Sequence, residues 1–301
     1  MASDGVNFDD SYFLLGPSRA STFADSLDSA ASRWSHTALA FPHERATYPE
    51  LASRADDLAR GLLALGVGAG EKVGVLIAQG VDYFALVFGI AKVGAVSVPI
   101  NPRFKARELK HVISNSDMTA LVASDNLLEM PDSLDMLEEA LPSLASAMEP
   151  ELHLAESPLL RHIVIDGDSS RDWASDYVSM LEEGGSTSDE MVLSRNASVA
   201  IRDTAIIMYT SGTTANPKGV MLPHEALVRH GFTIAETRFE LTADDRVWSA
   251  LPLHHIGGMA FFFTCLAAGA TYCHTANFDP GRSIEQLQDE GCRVQGSGCR
   301  V

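Results

Sequence analysis

Between residues 72 and 124 the chain alternates short, almost uninterrupted apolar runs with segments of helical periodicity: KVGVLI (72–77), VDYFALVFGIAKV (81–93), AVSVPI (95–100), ARELKHVISNS (106–116) and TALVAS (119–124). A strand wetted on one face alternates apolar with polar residues. Strands that are apolar throughout, with helices between them, need both faces covered, which is the requirement of a parallel sheet set between helical layers. The expected fold class is therefore α/β: layered parallel-sheet subdomains with helices on both faces. Just upstream, TYPE (47–50) has the Thr-x-x-Glu form of a capping box, and Leu51, Ala55, Leu58, Ala59 and Leu62 follow at helical spacing until Gly66.

From about 125 to 195 the pattern loosens into Ser, Glu, Asp and Leu, with HIVI (162–165) as one strand among short helices. A second α/β run starts at DTAIIMYT (203–210). It continues through helix HEALVRHGFTIAE (224–236), strand RVWSALP (246–252), an apolar helix near 258–268, strand ATYCHT (270–275) and helix GRSIEQLQDE (281–290). Two units are expected: residues 1–195, with the variable stretch at 125–195, and residues 196–301.

The net charge of −18, from 22 basic and 40 acidic residues, argues against a general nucleic-acid or anionic-membrane binder, since both need a basic face. The N-terminus carries acids where a signal peptide carries Lys or Arg. The longest apolar run (257–270) is shorter than the roughly 18 residues that span a bilayer. A cytoplasmic protein with no transmembrane segment is expected. Cys265, Cys273, Cys292 and Cys299 show no CxxC spacing, so free and mostly buried thiols are expected, with no metal site. The sequon at Asn196 reads as coincidence.

The densest chemistry lies in YTSGTTANPKG (209–219). A buried strand delivers this loop and the chain turns helical after Pro223, so the loop sits at the carboxyl end of a strand, where α/β proteins bind ligands. Gly212 and Gly219 let the backbone approach an anion. Thr210, Ser211, Thr213 and Thr214 offer hydroxyl donors, successive N–H groups can form an anion nest, and Lys218 adds a full positive charge. A Walker A loop is excluded, because Pro217 stands where its second glycine is needed and Gly219 follows the lysine in place of Ser or Thr. A dinucleotide fingerprint is excluded too, since GVGAG (66–70) follows a helix and precedes a strand. A plain Ser/Thr/Gly surface loop remains the alternative on these residues alone.

YTSGTTANPKGVMLPH resembles the phosphate-binding signature of the adenylate-forming enzymes, the superfamily of acyl-CoA synthetases, luciferases and peptide-synthetase adenylation domains. One position departs: Ala215 stands where the family carries Gly. Residues 47–102 resemble the family's N-terminal helix-strand text, and ALPLHHIGGM (250–259) resembles its Leu-Pro-x-aromatic-His-x-x-Gly element, so the likeness runs from about 20 to 295. By this resemblance Thr210, Ser211, Gly212, Thr213, Thr214, Lys218 and Gly219 contact the phosphates of ATP. Thr210, Lys218 and His255 form the catalytic set, and His255, Gly257 and Gly258 lie at the acyl and pantetheine pocket. His254 takes the place of the usual aromatic. Adjacent His254 and His255 point opposite ways on an extended segment, which disfavours a joint metal site.

The family's reaction joins a carboxylic acid to ATP, with Mg²⁺, as an acyl-adenylate and passes the acyl group to coenzyme A. Peptide-synthetase domains carry an acid near the region of LPLHHIGG to grip an amino group. That acid is missing here, so an uncharged fatty or aryl acid is the expected substrate. The helix MAFFFTCLAAG (259–269) could line the acyl pocket, though core packing is the ordinary reading of such a run. Family members continue to a Tyr-Gly-x-Thr-Glu element, a ribose-binding Asp and a small C-terminal domain with a lysine, none of which is in this sequence. The expectation is an incomplete N-terminal domain of an acyl-CoA synthetase with little full turnover and an open strand edge. The alternatives are a non-catalytic nucleotide- or partner-binding remnant of the same fold and an unrelated α/β protein.

Overall fold

The computed structural model describes residues 21–125, 127, 129–167, 170–210, 216–275 and 278–292. The chain opens with α1 (Phe23–Arg33), β1 (Thr37–Ala40) and β2 (Arg45–Thr47). It continues through α2 (Tyr48–Ala64), β3 (Lys72–Leu76), α3 (Val81–Lys92), β4 (Val96–Pro99), α4 (Ala106–Asn115) and β5 (Met118–Ser124). Thr47 caps α2 reciprocally with Glu50, as TYPE requires. The variable stretch holds α5 (Ser133–Ala140), β6 (His162–Asp166), β7 (Ser175–Asp176), α6 (Tyr177–Gly184) and α7 (Asp189–Ser198). Then follow β8 (Thr204–Thr210), β9 (Lys218–Pro223), α8 (His224–Ile234), β10 (Arg246–Ser249), α9 (Ile256–Ala268), β11 (Thr271–His274) and α10 (Pro280–Asp289).

The strands form a seven-stranded sheet, β7-β6-β5-β3-β4-β8-β9, and a four-stranded sheet, β10-β11-β1-β2. Every neighbour pair in the larger sheet is parallel except β8–β9, and in the smaller sheet only β1–β2 is antiparallel. The sheets do not divide at 195/196. The hairpin β8–β9 completes the larger sheet, and β1–β2, from the N-terminal end, complete the smaller one. Chain order hides this, because β1 and β11 pair across more than 200 residues.

Both faces of the larger sheet are buried. Val73, Val75, Ala120, Val122 and Val164 enter a core shared with α2, α3 and α9, while Leu76, Leu121, Ala123, Ile163 and Ile165 enter a second core with α4 and α5. That double covering explains the unbroken apolar text of β3, β4 and β5. Between the sheets α3 is buried on nearly all sides, and Phe84 meets Phe262 of α9 at 4.3 Å between ring centroids. Its last residue, Lys92, is buried and bonded to Asp28 at 2.5 Å and Asp56 at 2.7 Å, fastening α3 to α1 and α2. No helix among the described residues is long and apolar enough to cross a membrane.

Candidate functional site

The strand β8 brings Thr210 to the carboxyl edge of the larger sheet, and the chain returns at once as β9. Thr210 and Lys218 are direct partners across this hairpin, with the Thr210 hydroxyl 3.5 Å from the Lys218 carbonyl. Both are exposed, and among the described residues the Lys218 ammonium has no carboxylate partner. Ser211, Gly212, Thr213 and Thr214 lie outside the described residues, as does Ala215. Gly219 pairs with Tyr209, and a Cβ there would fall 2.9 Å from Ile207 Cγ2. The hairpin keeps its register because that position carries no side chain.

The far limb of the loop is held from α4. Arg107 Nη2 donates to Asn216 Oδ1 at 3.3 Å, and His111 Nε2 lies 3.0 Å from the Pro217 carbonyl. Tyr209 adds a third tie, its hydroxyl donating to Asn115 Oδ1 at 2.8 Å. Arg107 and His111 stand four apart, so they occupy one helical face. Sequence reasoning missed their role although that spacing in ARELKH was visible; nothing local showed which loop the face would meet.

The second predicted element leaves β10 and enters α9. His255 is the N-cap: its Nδ1 accepts the Gly257 N–H at 3.1 Å, which places the neutral ring's proton on the outward Nε2. His254 is half-buried, and its pKa is pushed down to about 4, first by burial and then by the positive charge of Arg103 and by His255. The two rings thus have different surroundings, though the segment is a turn and not the extended stretch expected, since the His255 N–H bonds the Pro252 carbonyl at 3.1 Å. Gly258 is fixed by close approach, since a Cβ would lie 2.5 Å from the carbonyl oxygens of Leu251 and Pro252. Phe262 and Phe263, in the apolar run of α9, are core residues.

These loops meet along one edge. The strands β3, β4 and β8 are parallel, so the segments after them leave on the same side. Leu253 N–H donates to Gln79 Oε1 at 2.7 Å, tying the histidine segment to the loop after β3. Arg103, in the loop after β4, lies near enough for its charge to act on His254. The edge therefore offers hydroxyl, ammonium, amide, guanidinium and imidazole groups to a ligand, a donor set matched to an anion. Among the described residues no group of three or more His, Cys, Asp or Glu side chains is placed to hold a metal ion.

A family model described as AMP-binding enzyme matches residues 27–296. The chain belongs to the AMP-binding enzyme family. It is similar to YngI of Bacillus subtilis, 30% identical over 256 residues that make up 83% of this chain and 45% of that protein. It is also similar to the acyl-CoA ligase sidI of Aspergillus fumigatus, 29% identical over 258 residues, 84% of this chain and 42% of that one. Among solved structures it resembles apo MbtA of Mycobacterium smegmatis, with a TM-score of 0.75, 26% identity and coverage of 91% of this chain and 47% of the other. The chain thus spans somewhat less than half the length of these AMP-binding relatives. Its α/β architecture of helix-flanked parallel sheets is that of adenylate-forming N-terminal domains.

Proposed function

We propose that this chain binds ATP at the β8–β9 loop and serves the activation of an uncharged fatty or aryl carboxylic acid, first to an acyl-adenylate and then to a coenzyme A thioester. The observation that carries the reading is Lys218, an exposed ammonium that has no carboxylate partner among the described residues, set directly across the hairpin from Thr210. In the reaction a carboxylate oxygen bonds to the α-phosphorus as the bond to pyrophosphate breaks, and the thiol of coenzyme A later takes the acyl carbon as AMP leaves. Charge builds on phosphate oxygens in the first step, so fixed N–H and hydroxyl donors and a cation stabilise it.

Thr210, Ser211, Gly212, Thr213, Thr214 and Gly219 supply the donors in this reading, and Lys218 the charge. Mg²⁺ enters with the phosphates, because the loop offers no carboxylate to hold it. His255, with Nε2–H turned outward, and the Gly257–Gly258 turn face the acyl and pantetheine groups. The free thiols of Cys265, Cys273 and Cys292 support a cytoplasmic setting.

Calorimetric titration with ATP, together with carboxylate-dependent ATP–pyrophosphate exchange over a panel of fatty and aryl acids, tests the proposal. Lys218→Ala is expected to weaken ATP binding about tenfold or more, equivalent to about 1.4 kcal/mol. Unchanged ATP affinity in this variant would overturn the loop assignment. Binding by the parent chain without exchange on any acid would replace the ligase reading with that of a nucleotide-binding remnant.

A further inference from the structure

Two cysteines outside the site meet beneath the end of α10. Arg45 of β2, Ala40 of β1, Cys273 of β11 and Trp248 of β10 lie in one row across the smaller sheet, so their side chains share a face. That face is covered by α10. Glu290 accepts from Arg45 and, at 2.5 Å, from Arg246, while Trp248 Nε1 donates to Gln286 Oε1 at 2.9 Å. Cys273 therefore sits under the last turn of the helix, buried.

The helix ends so as to bring a second sulfur there. Gly291 takes φ +60°, its N–H bonds the Gln288 carbonyl at 3.2 Å, and the Cys292 N–H bonds the Leu287 carbonyl at 3.0 Å. This paired capping turn folds the chain back against its own last turn. Cys292 is thereby brought back toward Cys273, and each thiol shifts the other's titration. Cys292 is half-buried and free, so a small reagent can reach it while Cys273 stays covered.

We propose that Cys273 and Cys292 are a dithiol that a small-molecule disulfide, such as oxidised glutathione, converts to an intramolecular disulfide clipping the end of α10 to β11. The neighbouring Cys273 thiol lowers the pKa of the Cys292 thiol, and Cys292, with burial, raises that of Cys273. Cys292 is thus the attacking thiolate and Cys273 the resolving thiol. Cys292 sulfur bonds to one sulfur of the reagent and expels the other as a thiolate. Cys273 then gives up its proton, attacks Cys292 sulfur and expels the second reagent thiol. Two protein thiols are oxidised, one reagent disulfide is reduced to two thiols, and no other reactant is needed. Cys265, by contrast, lies in α9 within the core between the sheets, where burial holds it as a thiol.

The test is to expose the reduced 301-residue chain to oxidised glutathione and then count free thiols and sequence the cross-linked tryptic peptides by tandem mass spectrometry. The titre is expected to fall from four thiols to two, with a loss of two hydrogens and a bridge joining Cys273 to Cys292. The same bridge is expected in Cys265→Ser and Cys299→Ser and no bridge in Cys292→Ser. A stable glutathione adduct on Cys292 beside a free Cys273, a bridge that includes Cys265 or Cys299, or four thiols left unreacted would each overturn the proposal. The wild-type peptide map decides between these outcomes even if a variant fails to fold.

Discussion

Tyr209 and Gly219 are direct partners in the β8–β9 ladder, and a Cβ on Gly219 would fall 3.2 Å from Tyr209 Cζ and 2.9 Å from Ile207 Cγ2. The ring cannot swing away cheaply, because its hydroxyl is bonded to Asn115. Overpacking of this kind costs about 1–3 kcal/mol. Gly→Ala returns roughly 0.4–1 kcal/mol by restricting the unfolded chain. Gly219→Ala is therefore expected to lose about 1 kcal/mol in urea unfolding and to weaken ATP binding several-fold by shifting Thr210 against Lys218. A variant as stable and as tight-binding as the parent would show that this pair does not set the hairpin's register.

His255 has a structural duty that can be separated from any chemical one. Its Nδ1 caps α9, and loss of an N-cap acceptor costs about 1 kcal/mol. His255→Ala should show that loss. His255→Asn should recover the stability, since the asparagine oxygen can take the same N–H, yet should not recover carboxylate-dependent exchange if Nε2–H meets the substrate. Equal exchange in the parent and the asparagine variant would reduce His255 to a cap.

The residues that bear on the fold through local pattern were readable in the text: apolar runs gave β3, β4, β5, β6 and β8, and TYPE gave the start of α2. What escaped was non-local. The short strands β1 and β2 carry no distinctive pattern: β1 becomes a strand by pairing with β11, far along the chain, and β2 by pairing with β1. VMLP reads as part of a loop because β9 is an exposed edge strand, four of its six residues lying open. The site divided the same way. Thr210, Lys218 and His255 stood out by motif, whereas Gln79, Arg103, Arg107 and His111 joined only once the sheet brought their loops to one edge.

Stability should fall as the medium is acidified from neutral, and the cause is buried histidine. His224 and His274 are almost wholly enclosed, and burial pushes both from the ordinary 6.5 down to about 4. His224 Nδ1 accepts the Phe23 N–H at 3.4 Å, which a protonated ring cannot do, and His274 Nε2 is buried without a hydrogen-bond partner among the described residues. Between pH 6.5 and about 4 the unfolded chain binds protons that the folded chain refuses, so the folded state loses stability through that window and no further below it. Each ring contributes at most about 3 kcal/mol, from roughly 1.4 kcal/mol per unit. Asp28 and Asp166, raised by burial, act with the opposite slope near the acid end and offset part of the loss. Urea midpoints measured at neutral, mildly acid and strongly acid pH should decline, and His224→Gln should flatten the decline. A profile level across this range would mean that both rings find solvent or a partner when charged.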